Sequence, residues 1–259
     1  MPVNDTFVDL ARFYDPIMSH VNYDRWYLIA GRIADLLPRG FTHVDVACGT
    51  GTLLKRLRAC GWKSYGIDLS YAMLHSGGKG ETEWPVAAAD MRALPFNASA
   101  HYVTCLFDSL NFLIDEEDMR TGIMQLGEAL RPGGILYLDV VTERMVLDHF
   151  AGQEWNEQND GFSTAWTCEY DRKTNTAASE IRVNGGPPNT ILERIYSVDE
   201  LEDALAQAGF QMLGIFDAER WRAPGKKTLR IDFVAVKGDP KSHRTAFKHI
   251  ESDIRNLLR

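Results

Sequence analysis

The chain has 259 residues, a formal net charge of −8 and a pI near 5.4, with 45% hydrophobic and 25% charged residues. An acidic balance of that size argues against a broad electrostatic grip on nucleic acid, and no apolar run reaches the ~18 residues that span a bilayer. Cys48, Cys60, Cys105 and Cys168 form no CxxC pair and show no metal-ligand spacing. The opening MPVNDTFVDLARFYD lacks the basic start and apolar stretch of a secretory signal, so a cytoplasmic protein with reduced thiols and no bound metal is expected.

The length suits one α/β domain with an insertion. Residues 1–40 read as a helical cap, in which Trp26, Ile29, Ala30, Ile33, Leu36 and Leu37 share one face before Pro38 and Gly40 stop the helix. Strand-like and helix-like pieces then alternate. Strands are expected at His43–Cys48, Ser64–Asp68, Trp84–Ala89, Tyr102–Phe107 and Ile135–Val141, with helices at Thr52–Ala59, from Met73 and at Asp118–Leu130. This rhythm predicts a largely parallel sheet with helices on both faces.

After Val141 the pattern changes. A helix at Glu143–Phe150 leads into a polar loop, and strands follow at Ser163–Tyr170, Ala177–Val183 and Thr190–Ser197. Their connections, DRKTN and NGGPPN, are turn chemistry, so residues 143–197 are expected to form an inserted antiparallel meander. Ser197 and Glu200 then make a capping box for a helix at Val198–Ala208, which Gly209 ends. Strands at Gln211–Phe216 and Leu229–Val236 complete a core of residues 41–142 and 198–238, and residues 239–259 form a terminal helix.

The most informative segment is VDVACGTGTLLKRL, Val44–Leu57, where an apolar strand runs into Cys48-Gly49-Thr50-Gly51 and a helix begins at once. Glycines permit a sharp turn and close ligand approach, and a helix start offers free N–H groups. A dinucleotide fingerprint would place Gly or Ala where Leu54 stands, and no GxxxxGK[ST] phosphate loop occurs. Asp45, inside the strand, suits the ammonium of an amino-acid-like ligand. Asp68 ends the next strand about 20 residues after the turn, a position that suits the two hydroxyls of a ribose. Asp90 and Met91 close the third strand, where a carboxylate beside a backbone N–H can read adenine.

VDVACGTG, YGIDLS, AADMRALPF, VTCLFDSLNFL and LRPGGILYLDV resemble the successive motifs of class I S-adenosylmethionine-dependent methyltransferases. The resemblance implies a Rossmann-like seven-stranded sheet with only the last strand antiparallel, plus the antiparallel insertion after strand five. It implies S-adenosyl-L-methionine as cofactor and S-adenosyl-L-homocysteine as product. Asp45, Ala47, Cys48, Gly49, Thr50 and Gly51 would hold the methionine part, Asp68 the ribose, and Asp90 and Met91 the adenine. Leu69, Met73 and Phe107 would line the same pocket, with Tyr14 and Trp26 covering it. FYDPIMSHVNYDRW and WTCEYDRKTN are similar to segments of bacterial YqeM-type methyltransferases, and the architecture is similar to glycine N-methyltransferases and aminosugar N,N-dimethyltransferases.

The expected reaction is methyl transfer to a small-molecule nitrogen or oxygen by in-line displacement, in a monomer or homodimer. Tyr14, His20, Asp108 and His149 are candidates for catalysis, and Tyr23, Asp108, Ser109, Asn111 and Trp155 for contact with the acceptor. Residues 143–200 carry eleven acidic and five basic residues, which favours a neutral or amine-bearing acceptor over a polyanion. Two alternatives share the same core: methylation of tRNA or rRNA, which would want a basic face, and a non-catalytic protein that only binds S-adenosylmethionine.

Overall fold

A computed structural model describes residues 5–81 and 83–258; the first four residues of the expected cap, Thr82 and Arg259 lie outside them. In chain order the elements are α1 (Tyr14–Ile17), α2 (Tyr23–Ala34), β1 (Thr42–Val46), α3 (Thr52–Ala59), β2 (Lys63–Asp68), α4 (Tyr71–Gly77) and β3 (Val86–Ala88). There follow β4 (Ala100–Cys105), a 3-10 turn (Ser109–Phe112), α5 (Glu116–Ala129), β5 (Leu130–Val141) and α6 (Glu143–His149). Next are β6 (Glu154–Asn159), β7 (Phe162–Asp171), β8 (Thr176–Val183) and β9 (Pro188–Arg194). The chain closes with α7 (Val198–Gln207), β10 (Phe210–Asp217), β11 (Arg230–Lys237) and α8 (Lys241–Leu257). Among the described residues no helix is long and apolar enough to cross a membrane.

Seven strands form one mixed sheet in the order β10-β11-β5-β4-β1-β2-β3. Ladders from β3 to β5 are parallel. The last strand, β11, is the one that runs reversed, and because it lies between β5 and β10 the sheet holds two antiparallel ladders. Each central strand is buried on both faces. On β5, Leu136, Leu138 and Val140 pack with Met119, Ile123 and Leu126 of α5 and Leu201 and Leu205 of α7. Ile135 and Tyr137 point the other way, into a second core with Trp26, Ile29 and Ile33 of α2, Leu57 of α3 and Phe247 and Ile254 of α8. This two-residue alternation is what a strand covered by helices on both sides requires.

The insertion is a separate antiparallel sheet, β6-β7-β8-β9. One of its strands corrects the sequence reading: residues 154–159 were expected in a loop, yet EWNEQN is β6. It is an edge strand without apolar alternation, held through its backbone to β7, so no side-chain period marked it. The third core strand also shrinks to Val86–Ala88, while β5 begins at Leu130, through a register shift against β4 between Ala100 and Tyr102. The capping box formed as expected: Ser197 Oγ accepts from the Glu200 N–H at 3.2 Å, and Glu200 Oε2 accepts from the Ser197 N–H at 2.8 Å.

Candidate active site

The carboxyl ends of β1, β2, β4 and β5 converge on one edge of the main sheet, and residues in the left-handed region gather there. Ala47 has φ 59°, and the adjacent pair Phe107 and Asp108 have φ 61° and 55°. Each non-glycine residue in that region costs on the order of 1–3 kcal/mol, and such strain concentrates where a side chain must be aimed at a ligand. Gly51, at φ 74°, caps the start of α3, and a Cβ there would lie 2.3 Å from the Trp84 ring. Only glycine fits that turn.

Two carboxylates flank the glycine turn. Asp68 Oδ2 accepts from the Gly49 N–H at 2.7 Å and its Oδ1 from the Ser70 N–H at 2.8 Å. The side chain therefore fastens two loops together and still has lone pairs for further donors; burial raises its pKa against those bonds. Asp45, only 4% exposed, accepts a 2.5 Å hydrogen bond from Thr104 Oγ1. Burial pushes it up to about 7, with the Thr104 bond opposing. Behind it, His43 Nε2 lies 2.9 Å from Thr104 Oγ1, and His43 Nδ1 lies 3.0 Å from Ser64 Oγ. Burial lowers His43 to about 3, so the ring is neutral. Thr104 has one proton and gives it to Asp45; Nε2–H must then donate to Thr104, and Nδ1 accept from Ser64.

The N-terminal segment lies across this edge. Thr50 Oγ1 donates to Asp15 Oδ1 at 2.5 Å and Ser70 Oγ to Asp5 Oδ2 at 2.7 Å. The Tyr14 hydroxyl lies within hydrogen-bonding reach of Tyr23. Burial, with Asp15 and Asp108 nearby, holds both phenols above their ordinary range, so at neutral pH they are donors and not bases. Trp26 packs edge-on against Phe107 at 5.4 Å, and the Arg230 guanidinium lies 5.5 Å from each of these two rings.

On the far side of Phe107 is a charged cluster. Arg230, on β11, donates to Asp139 Oδ2 at 2.6 Å and to Asp108 Oδ1 at 3.3 Å. Glu193, from β9 of the insertion, faces Asp108. Next to this group Asp232 is bonded by Arg25 at 2.8 and 2.9 Å and by Trp221 Nε1 at 3.0 Å.

The expected site residues divide accordingly. Asp45, Ala47, Cys48, Gly49, Thr50, Gly51 and Asp68 surround the glycine turn. Met73 is buried beside it, with its Cε 3.4 Å from where a Gly49 Cβ would sit; Leu69 stands 43% exposed at the same edge. Tyr14, Tyr23, Trp26, Phe107 and Asp108 are gathered together. Met91 packs on the core, but the Asp90 carboxylate is engaged by Arg92 through Nε and both oxygens, which lowers its pKa. Two residues expected at the acceptor have partners within the chain. Ser109 Oγ is turned back to the Leu106 carbonyl at 2.8 Å. Asn111 is fully buried, its Nδ2 donating to the Arg194 carbonyl at 2.8 Å and its Oδ1 accepting from the Val141 N–H at 3.2 Å. His20 and His149 stand exposed at helix ends, and Trp155 is stacked on Trp166 at 5.3 Å instead of meeting the cluster. Sequence reasoning missed Glu193, Arg230, Asp139 and Thr104. The signal for Asp139 was available: LYLDVV carries an aspartate amid apolar residues, and a buried charge demands a partner.

Residues 44–134 match a family described as a methyltransferase domain. The chain is 29% identical over 244 residues to YqeM of Bacillus subtilis, covering 88% of this chain and 95% of that protein. It is 26% identical over 233 residues to the dTDP-4-amino-2,3,4,6-tetradeoxy-D-glucose N,N-dimethyltransferase of Saccharopolyspora spinosa, covering 85% and 88%. Its fold is similar to that of an S-adenosylmethionine-dependent methyltransferase from Clostridium acetobutylicum, with a TM-score of 0.76 at 22% identity over 91% of this chain and 100% of the other.

Proposed function

Because the chain is a class I S-adenosylmethionine-dependent methyltransferase, we propose that it methylates a nitrogen of a small-molecule acceptor. The residues at the sheet edge fit the cofactor: a turn that admits no Cβ at Gly51, a buried carboxylate at Asp45 for an ammonium, and Asp68 with lone pairs left for a diol. In this assignment residues 45–51 hold the methionine part, Asp68 the ribose, and Met91 and Asp90 the adenine, with Leu69 and Met73 beside it. The engagement of Asp90 by Arg92 leaves its remaining lone pairs and the local backbone for adenine. S-adenosylmethionine supplies a methyl group on a positively charged sulfur, and the sulfur leaves as a neutral thioether.

The chain's own task is then alignment, which contributes on the order of 7–11 kcal/mol at most. The insertion closes the acceptor side, where Glu193 meets Asp108 and the neutral phenols of Tyr14 and Tyr23 face Asp108. This wall of carboxyl groups carries the assignment to nitrogen: it complements an amine and repels a phosphate or carboxylate. Likeness to the Saccharopolyspora enzyme, named for an amino sugar, points the same way. The test is incubation of purified protein with isotopically labelled S-adenosylmethionine and a panel of amines, amino sugars and their hydroxyl analogues. Label in the amines is expected; label in hydroxyl analogues alone would refute the assignment.

A further inference from the structure

Glu193 stands on the inward face of β9, opposite Ala177 of β8, which is buried. Asn111 fixes the end of that strand, since its amide joins the Arg194 carbonyl to the Val141 N–H. This brings Glu193 against Asp108 in the strained turn after β4. Glu193 Oε1 is fully buried and has no hydrogen-bond partner with a donor among the described residues; the group it faces is the Asp108 carboxyl. Two carboxylates cannot meet out of water unless one proton lies between them.

The other groups facing the pair are Arg230 of β11, Asp139 of β5 behind it, the phenols of Tyr14 and Tyr23, and the Cys168 thiol of β7. Arg230 alone is cationic. Three carboxyl groups set against one guanidinium and one shared proton leave a single net negative charge. An ammonium group complements it.

We propose, resting on the nitrogen-acceptor reading above, that Asp108 and Glu193 form the acceptor's ammonium site and that Glu193 is a catalytic residue that removes the acceptor's proton. When an ammonium enters, the proton shared by the pair leaves to solvent and both carboxyl groups ionise. One N–H bond of the ammonium then breaks, its electron pair stays on nitrogen, and the proton forms an O–H bond on Glu193. Ammonium and carboxylate become amine and carboxylic acid, and no other reactant is consumed. The order of ionisation suits this work: burial and then Asp108 push Glu193 up to about 8, while Tyr14 and Tyr23 are held too high to act as bases.

Two measurements test it. The first follows the carboxyl carbons of Asp108 and Glu193 by NMR in isotopically labelled protein. Glu193 is expected to titrate well above the ordinary carboxylate range and to fall back in Asp108→Asn; titration in the ordinary range overturns the proposal whatever the acceptor. The second compares wild type, Glu193→Gln and Glu193→Asp from about pH 6 to about pH 10, with ethanolamine, glucosamine and a dTDP-linked amino sugar as probes. Glu193→Gln should lose about 100-fold in kcat/KM near neutral pH, and the deficit should shrink toward the alkaline end, where neutral amine is abundant in solution. Glu193→Asp should retain the wild-type profile in part, and melting curves of both variants monitor the fold. A Glu193→Gln profile parallel to wild type overturns the role of Glu193 and leaves nitrogen methylation standing. Methylation of hydroxyl analogues alone overturns both.

Discussion

Replacing Thr104 by valine keeps the shape of the side chain and removes its hydroxyl from the row Ser64–His43–Thr104–Asp45. Two buried partners are orphaned: His43 Nε2–H, 2.9 Å away, and Asp45 Oδ1, 2.5 Å away. Each orphaned group costs about 1–3 kcal/mol, so the variant should lose about 2–6 kcal/mol. At about 2–4 °C per kcal/mol for a chain near this size, Tm should fall by roughly 5–20 °C. The second effect is electrostatic. The Thr104 bond favours ionised Asp45, and a hydrogen bond to a charged group contributes about 1.5–3 kcal/mol, or ~1–2 pH units. Wild-type Asp45, pushed up to about 7, is close to half ionised at neutral pH. In Thr104→Val the ionised fraction should drop to ~1–10%, and affinity for S-adenosylmethionine near neutral pH should fall ~5–50-fold on the proposed pairing of Asp45 with the donor's ammonium. Calorimetric titration from about pH 6 to about pH 9 should show the binding curve displaced to higher pH, with most of the loss recovered at the alkaline end. Thr104→Ser, which keeps the hydroxyl, should follow wild type. A deficit constant across pH would refute the assignment of Asp45. Stability should respond in the opposite sense. A carboxyl raised in the folded state favours folding below its unfolded pKa, and that contribution is lost as pH rises through about 7.

Asp68→Ala removes the acceptor for the Gly49 and Ser70 N–H groups as well as the proposed ribose contact. Donor affinity measured by calorimetry should fall about 100-fold, while circular dichroism should show the fold retained; unchanged affinity would contradict the ribose assignment. Gly77→Ala places a Cβ 2.0 Å from the Thr50 carbonyl oxygen, a rigid backbone atom, and should cost about 3 kcal/mol or more in denaturant unfolding. Arg230→Met strands Asp139, which is 0% exposed, and should destabilise by about 3–5 kcal/mol in the same assay. Adding Asp139→Asn to that variant should restore part of the loss; no recovery would mean that the pair is not the source.

Much of the main sheet was legible because its strands are short apolar runs broken by glycine and separated by helix-period stretches. Those signals are local. The strand order and the second antiparallel ladder depend on which strands pair across the sheet, and nothing near β11 records its neighbours. The proposed cofactor side was equally local, since Asp45, the glycine turn and Asp68 lie within about 25 residues and their spacing is the motif. The proposed acceptor side is not. Glu193 and Asp108 are 85 residues apart, and Asp108 and Arg230 are 122 apart; no window contains them. Ser109 and Asn111 were read as acceptor contacts because they follow strand four, but short polar side chains there are spent on the backbone of their own turn and of the insertion. The Trp155 ring likewise finds Trp166 across the β6–β7 ladder.

One buried amide, Asn111, ties the end of the insertion to the end of β5, and Tyr196 and Arg194 add bonds to the backbone between Leu113 and Asp115. The inserted sheet is thus a cassette bolted at its hinge side. A graft of residues 143–197 from a relative would dock in register only if the recipient supplies a side chain that can bridge both backbones at position 111. Chimeras built without that bolt should keep their grip on the methyl donor and lose command over which molecule is alkylated.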